Sequence, residues 1–353
     1  MATTSYGVND ALAVKLWSKK LFQEALKATW FSKFMGKGSD SLIQIKDETS
    51  KGAGDKITIG LRMQLSGDGI LEDGTLEGNE EALTTYSDSV FINQLRHAVR
   101  SAGKMSEQRV PFSVREEARQ GLQDWWANRL DTAFFNQLAG NTAVTDTRYT
   151  GNQACVAPDS SHQVWVTGSN DQALGAGNVM TLAMIDKCVE KAKTNTVPIR
   201  PIKIAGYGDV FAMFLHPYQV YDIRTSSSTG QWLDIQKAAL TGSGDTKNPI
   251  FTGALGVYNG VVLHESTRVP TGVNSSTSAA ISTVRRAVFA GAQAGVMAYG
   301  KDSSSGEMSW VEEMFDYGNQ LGVSAGLVFG IKKAQFNSAD FGTIVASSYA
   351  AAH

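Results

Sequence analysis

The chain has 353 residues, a net charge of -2 and 42% hydrophobic residues. That length suits about two domains with ample core, and 19% charged residues with only 7 prolines describe an ordered globular protein, not a disordered tail. The near-neutral balance argues against a dedicated nucleic-acid binder, which carries a clear basic surplus, although local contact stays open. Two cysteines, Cys155 and Cys188, are too few for a disulfide framework. No run of about 18 apolar residues exists to span a bilayer, and the N-terminal stretch lacks a basic leader followed by an apolar core. These features predict folding in a reducing, cytoplasmic compartment with no membrane contact.

The first element is an amphipathic arm, "ALAVKLWSKKLFQEALKATWFSKFMG". Trp17, Leu21, Ala25 and Ala28 fall on one helical face with Phe22, Leu26 and Trp30 beside it, and its lysines make it locally basic. In "DKITIGLRMQLSG", Ile57, Ile59, Leu61, Met63 and Leu65 alternate with polar or small residues, the period of a half-buried strand. A returning strand fits between Thr84 and Val99. The two enclose a glycine-punctuated tip, and between positions 63 and 95 there is no Lys or Arg, whereas Asp68, Glu72, Asp73, Glu77, Glu80, Glu81 and Asp88 are acidic. The pair reads as a long two-stranded ribbon, marginal alone, whose apolar side something else must cover. Arg96, Arg100, Lys104 and Arg109 follow it and supply the opposite charge.

"SVREEARQGLQDWWANRLDTAFFNQLAG" is a long helix. Pro111 disfavours helix before it, Ser113 and Glu116 have capping-box spacing, and Gly140 suits the terminating position, so Val114–Ala139 forms a rod of roughly 39 Å. Val114, Ala118, Leu122 and Trp125 line one face, but Trp126, Leu130, Phe134 and Leu138 carry apolar surface round the axis. The far half is therefore covered on more than one side, which reads either as a core helix of a single domain or as a backbone helix that several layers, other subunits among them, pack against. Mixed helix and strand follow: a helix in "NVMTLAMIDKCVEKAKTN", two strands in "PIKIAGYGDVFAMFLHP", helical "YQVYDIR" and "GQWLDIQKAAL", then strands through "GVYNGVVLHES", "RRAVFAGAQAGVMAYG" and "SWVEEMFDYGNQLGVSAGLVFGIKKAQF".

The search for chemistry is short. "GVSAG" around Ser324 matches the nucleophile elbow of a serine hydrolase, but the only later histidine is the terminal His353, and small residues in a strand explain the match without chemistry. His264 and Glu265 begin a zinc-protease motif that Arg268 breaks. His97, His162 and His216 show no ligand spacing, no phosphate or dinucleotide loop is present, and the acidic tip departs from the order of a calcium-binding loop. No catalytic residue, cofactor or metal site is predicted.

The order of segments resembles a known family. The arm "LWSKKLFQEAL", the acidic-tipped ribbon, the aromatic helix "QGLQDWWANRLDTAFFNQLAG", then "MFLHPYQVYDIR", "GALGVYNGVVLHES", "RRAVFAGAQAGVMAYG" and "FDYGNQLGVSAGLVFGIKKAQFN" look like a tailed-bacteriophage major capsid protein of podovirus-like and related phages. The resemblance implies an α+β chain with the shell fold shared by tailed phages and herpesviruses: an N-terminal arm (1–50), an extended β-hairpin loop (51–103), a peripheral domain (104–198) with its spine helix at 114–139, an axial domain (199–300) and C-terminal strands (301–353) returning to the peripheral domain. It implies a non-enzymatic virion protein, assembled in the bacterial cytoplasm into hexamers and pentamers around double-stranded DNA. Scaffolding protein and portal are implied partners, a decoration protein is a further one, and contact with packaged DNA is non-specific. Trp17, Leu21, Trp30, Glu77, Glu80, Glu81, Arg96, Arg100, Trp126 and Phe135 are the expected subunit-interface residues. The rival readings are a decoration or accessory protein bound to another shell, and a hydrolase using Ser324.

Overall fold

The computed structural model describes residues 29–47, 54–62, 65, 67–72, 75, 77–111, 113–204, 208–225, 254–300 and 308–353. The second predicted helix at "GQWLDIQKAAL", and Trp17 and Leu21 of the arm, lie outside the described residues.

The long helix runs Val114–Leu138, capped at one end by Ser113, whose hydroxyl accepts from Glu116 N at 3.5 Å. At the other end Gly140 takes φ +58°, and a β-carbon there would stand 2.5 Å from Val156 O, so glycine is required. Two sheets pack against this helix. The six-stranded one has the order Met35–Gly36, Ile43–Lys46, Gly295–Tyr299, Gln320–Lys333, Ser309–Phe315, with Asn93–Arg100 paired along the other edge of Gln320–Lys333. Every second residue of its longest strand, Val323, Ala325, Leu327, Phe329 and Ile331, is buried in the core that includes Leu122, Trp126 and Leu130 of the helix.

The eight-stranded sheet has the order Gln163–Trp165, Thr343–Tyr349, Ala280–Ala290, Gly208–Leu215, Val261–Glu265, Ala254–Tyr258, with Thr271–Val273 and Ile202–Ile204 as side branches. The period-2 rule divides its residues cleanly. Val210, Ala212 and Phe214 join the core of the long helix, while Phe211, Met213 and Leu215 meet the helices Leu182–Thr194 and Pro217–Thr225 on the opposite face. Helices and sheets of one chain thus cover both faces of this sheet.

The ribbon, Lys56–Arg62 paired with Thr85–Phe91, roots on the six-stranded sheet from the side away from the long helix. Ile57 and Val90 pack there on Val296 and Ala298. Asp88 anchors the root, paired with Lys332 and accepting from Gln335 N at 3.1 Å. The returning strand expected as one piece from Thr84 to Val99 is two strands. After Phe91 the chain leaves the ribbon, and Asn93–Arg100 enters the six-stranded sheet.

Two expectations are corrected here. The segment expected to be arm up to residue 50 contributes Phe31, Leu42 and Ile43 to the main core, because Trp30–Phe34 forms a 3-10 turn that seats Phe31 against Phe134, Phe135 and Phe214. The many-sided burial of the long helix is also satisfied within one chain: Trp126 and Phe135 are both 0% exposed, enclosed by the two sheets and the 3-10 turn. Replacing Trp126 with Ala removes a fully buried side chain and leaves a cavity, which should cost about 3–5 kcal/mol. The check is the urea midpoint of the isolated subunit; an unchanged midpoint would mean that the helix is not held between the sheets as described.

Candidate assembly surfaces

Buried charges position the surfaces. Asp131, in the middle of the long helix, accepts from the backbone amides of Trp30 (3.0 Å) and Phe31 (3.4 Å) and pairs with Arg268 at 3.2 Å. Burial pushes its pKa up, against the opposing pull of those amides and Arg268. His264 stands among Trp30, Phe34 and Phe214 at ring distances of 5.3, 5.2 and 5.9 Å. Trp30 itself is half-buried, with Lys33 Nζ over its ring at 5.5 Å.

On the ribbon, Leu65, Leu71 and Leu83 are exposed, Leu71 to 87%. Glu77, Glu80 and Glu81 are exposed beside them. Two of these carboxylates brace the tip locally: Glu80 accepts from Gly78 N at 2.8 Å and Glu81 from Gly67 N at 2.7 Å. Arg96 and Arg100, expected beyond the ribbon, are held in a strand of the six-stranded sheet. Arg100 lies over the Phe315 ring at 4.2 Å. His97, on the other face of the same strand, stacks on Trp125 at 4.4 Å. The sequence reading missed Val311, Met314 and Tyr317, exposed on the hairpin that precedes Gln320–Lys333. Only the pairing of the strands reveals which side of them is bare.

The interface expectation for Trp126 and Phe135 gives way to a core role, since neither has surface to present. Glu77, Glu80, Glu81, Arg96, Arg100 and part of Trp30 do. Ser324 sits in mid-strand, opposite Ala98 and Val311, with its hydroxyl 3.4 Å from Val311 O. An elbow nucleophile needs a sharp strand-to-helix turn. The histidine nearest in register, His97, points to the opposite face, stacked on Trp125. Among the described residues no group of three or more His, Cys, Asp or Glu could hold a metal, and no helix is long and apolar enough to cross a membrane. The two thiols are pushed up to about 12 by burial, which removes them as ready nucleophiles.

Comparison with known proteins points one way. The family described as phage capsid protein matches residues 5–352. The chain is 29% identical over 365 residues to the major capsid protein of Pseudomonas phage KPP25, covering 93% of each. Among solved structures, the capsid of Ralstonia phage GP4 superposes with a TM-score of 0.78 at 32% identity, covering 99% of both chains. The capsid asymmetric unit of cyanophage Pam1 shares the fold, with a TM-score of 0.73 at 20% identity over 100% of both.

The aromatic seat of His264 makes a pH prediction. Burial, with Lys33 adding to it, pushes the imidazole from its ordinary 6.5 down to about 4. The unfolded chain takes up the proton first, so the contribution is intact above pH 6.5 and is lost as pH falls towards 4. His216, also pushed down to about 4 by burial, acts in the same window. Subunit stability should therefore decline between pH 7 and 5, and His264→Phe should flatten that decline while leaving the part due to His216. Chemical denaturation at several pH values reads the slope, and equal slopes for wild type and variant would remove His264 from the account.

Proposed function

The chain belongs to the phage capsid protein family and is a structural subunit of the virion shell, and from that premise we propose that it closes an icosahedral capsid around double-stranded DNA as hexamers and pentamers of itself. The observation that carries this reading is the ribbon. It leaves its own sheet with three bare leucines and an acidic tip, surface that costs free energy in water unless a neighbour covers it. Individual contacts of this size are weak, and their repetition round a closed shell makes them sufficient.

In this reading residues upstream of Thr29, with Trp17 and Leu21, form a clasping arm that leaves the core beside Trp30. The ribbon and its flanks (51–103) reach a neighbour. Residues 104–198 build the peripheral domain, 199–300 the axial domain, and 301–353 return to the peripheral one. A scaffolding protein and a portal are the further partners, a decoration protein is optional, and contact with packaged DNA is non-specific, in keeping with the net charge of -2. Assembly takes place in the host cytoplasm, before the genome enters.

Electron microscopy of the purified chain tests the reading: closed shells, tubes or capsomer rings are expected, and a persistent monomer at high concentration would overturn it. Truncation separates arm from core. Removing residues 1–28 should leave a folded subunit that assembles incorrectly, whereas removing 1–36 takes away Phe31 and should unfold it. Circular dichroism with light scattering reads both, and an unfolded product of the shorter deletion would place the arm in the core.

A further inference from the structure

Beside the ribbon root the long strand Gln320–Lys333 runs into a tight hairpin, Gln335–Phe336 paired with Ala339–Asp340, turned by Asn337 and Ser338 at φ +51° and +61°. The register puts Phe336 and Ala339 on one side of it and Gln335 and Asp340 on the other. Phe336, with Ala334 and Phe341, packs into the apolar cluster of the ribbon root. Lys333 joins the polar side. Its Nζ donates to Asp340 Oδ2 at 2.7 Å, and the two side chains are 2% and 0% exposed.

The surroundings hold this pair in one arrangement. Asp340 is gripped at two points, its backbone amide donating to Asp159 Oδ2 at 2.7 Å and its Oδ1 accepting from Gln335 Nε2 at 2.8 Å. Lys333 has fewer partners than its charged form needs. An ammonium offers three protons, and besides Asp340 it meets only the Val156 carbonyl, at 3.3 Å, among the described residues. Burial pulls the Lys333 pKa below its ordinary value, against the opposing charges of Asp340 and Asp159. The neutral amine, the form that acts as a nucleophile, is thereby brought within reach. Two ions enclosed in this way are costly to keep, and joining them removes both charges.

We propose that Lys333 and Asp340 condense to an isopeptide bond within the folded chain. A proton passes from Nζ to Oδ2 inside the pair, leaving an amine beside a carboxylic acid. Nζ then attacks Asp340 Cγ, and Oδ2 departs as water, taking a second proton from the nitrogen. Of the three ammonium hydrogens two end on the water and one on the amide, so no oxidant or other reactant is required. Gln335 Nε2 donates to Oδ1, the oxygen on which negative charge gathers as the bond forms, and the fixed approach of Nζ replaces a chance encounter. The product is already provided for. Oδ1 becomes the amide carbonyl and keeps Gln335, while the remaining N–H keeps the Val156 carbonyl, so neither polar atom of the new bond is stranded. The tie stands beside the ribbon's anchor, where Lys332 pairs with Asp88 and Gln335 N donates to the same carboxylate. This inference concerns the single chain and does not rest on the assembly reading above.

The intact mass of the purified full chain, denatured for the measurement, tests it. Wild type should be lighter by one water than the Lys333→Arg chain once the substitution is allowed for, since arginine keeps the charge pair and forms no such amide. In a digest, trypsin should fail to cut after Lys333, and the peptide that holds both residues should give no sequence fragments from the bonds between them. A wild-type chain of full mass overturns the proposal, whether or not the variant folds. A lost water that maps elsewhere, as at Asp68 before Gly69, overturns it as well.

Discussion

A buried ion pair at the end of the long helix ties that helix to the eight-stranded sheet. Arg286, on the central strand Ala280–Ala290 of the eight-stranded sheet, donates from Nε to Asp171 at 2.7 Å, and its Nη1 reaches the carbonyls of Ala139 (3.4 Å) and Gly140 (3.0 Å) at the end of the long helix. Asp171 also accepts from Trp165 Nε1, Gln163 Nε2 and Val273 N. A cation at the helix C-terminus satisfies orphan carbonyls and the helix dipole together. Both groups are almost wholly enclosed, so removing one would strand the other in a low-dielectric interior at a cost of about 3–5 kcal/mol. Through this pair the helix, the edge strand Gln163–Trp165 and the side branch Thr271–Val273 share one fixed point.

From that point outward, the molecule divides its apolar surface by purpose. The eight-stranded sheet is covered on both faces by its own chain, and the aromatic half of the long helix is closed off by Phe31 and Phe214. The six-stranded sheet is covered by the long helix on one face and only in part, by the ribbon root, on the other, and the ribbon beyond its root keeps its leucines bare. Stability of the monomer thus draws on the enclosed residues, and in the proposed assembly the half-covered surfaces are left for association. In that assembly each weak contact is repeated round the shell and can be made, broken and corrected.

Much of this was legible in the sequence, and the gaps have physical causes. The helix ends were readable because Ser113 and Gly140 act locally, and the ribbon because strict alternation permits one face to be buried. The fate of Asn93–Arg100 was not, since its partner Gln320–Lys333 lies far away in the chain and period 2 says nothing about which strand completes a ladder. The same limit misassigned Trp126 and Phe135. An aromatic surplus on a helix shows that several surfaces must cover it, not whether they come from the same chain. Asp131, Asp171 and Arg286 were invisible for a related reason, because a charged residue reads as exposed until the fold brings its partners to it.

The strand Gln320–Lys333 has a temporal consequence. It is the element to which Asn93–Arg100, Gly295–Tyr299 and Ser309–Phe315 all pair, so the sheet has no centre until the C-terminal part of the chain leaves the ribosome. Contacts of such high sequence separation form late and slowly. An unfinished chain holds Asn93–Arg100 without the strand that completes its ladder. Completion of translation is thereby coupled to completion of the sheet, which closes only after the last of its strands is free to pair.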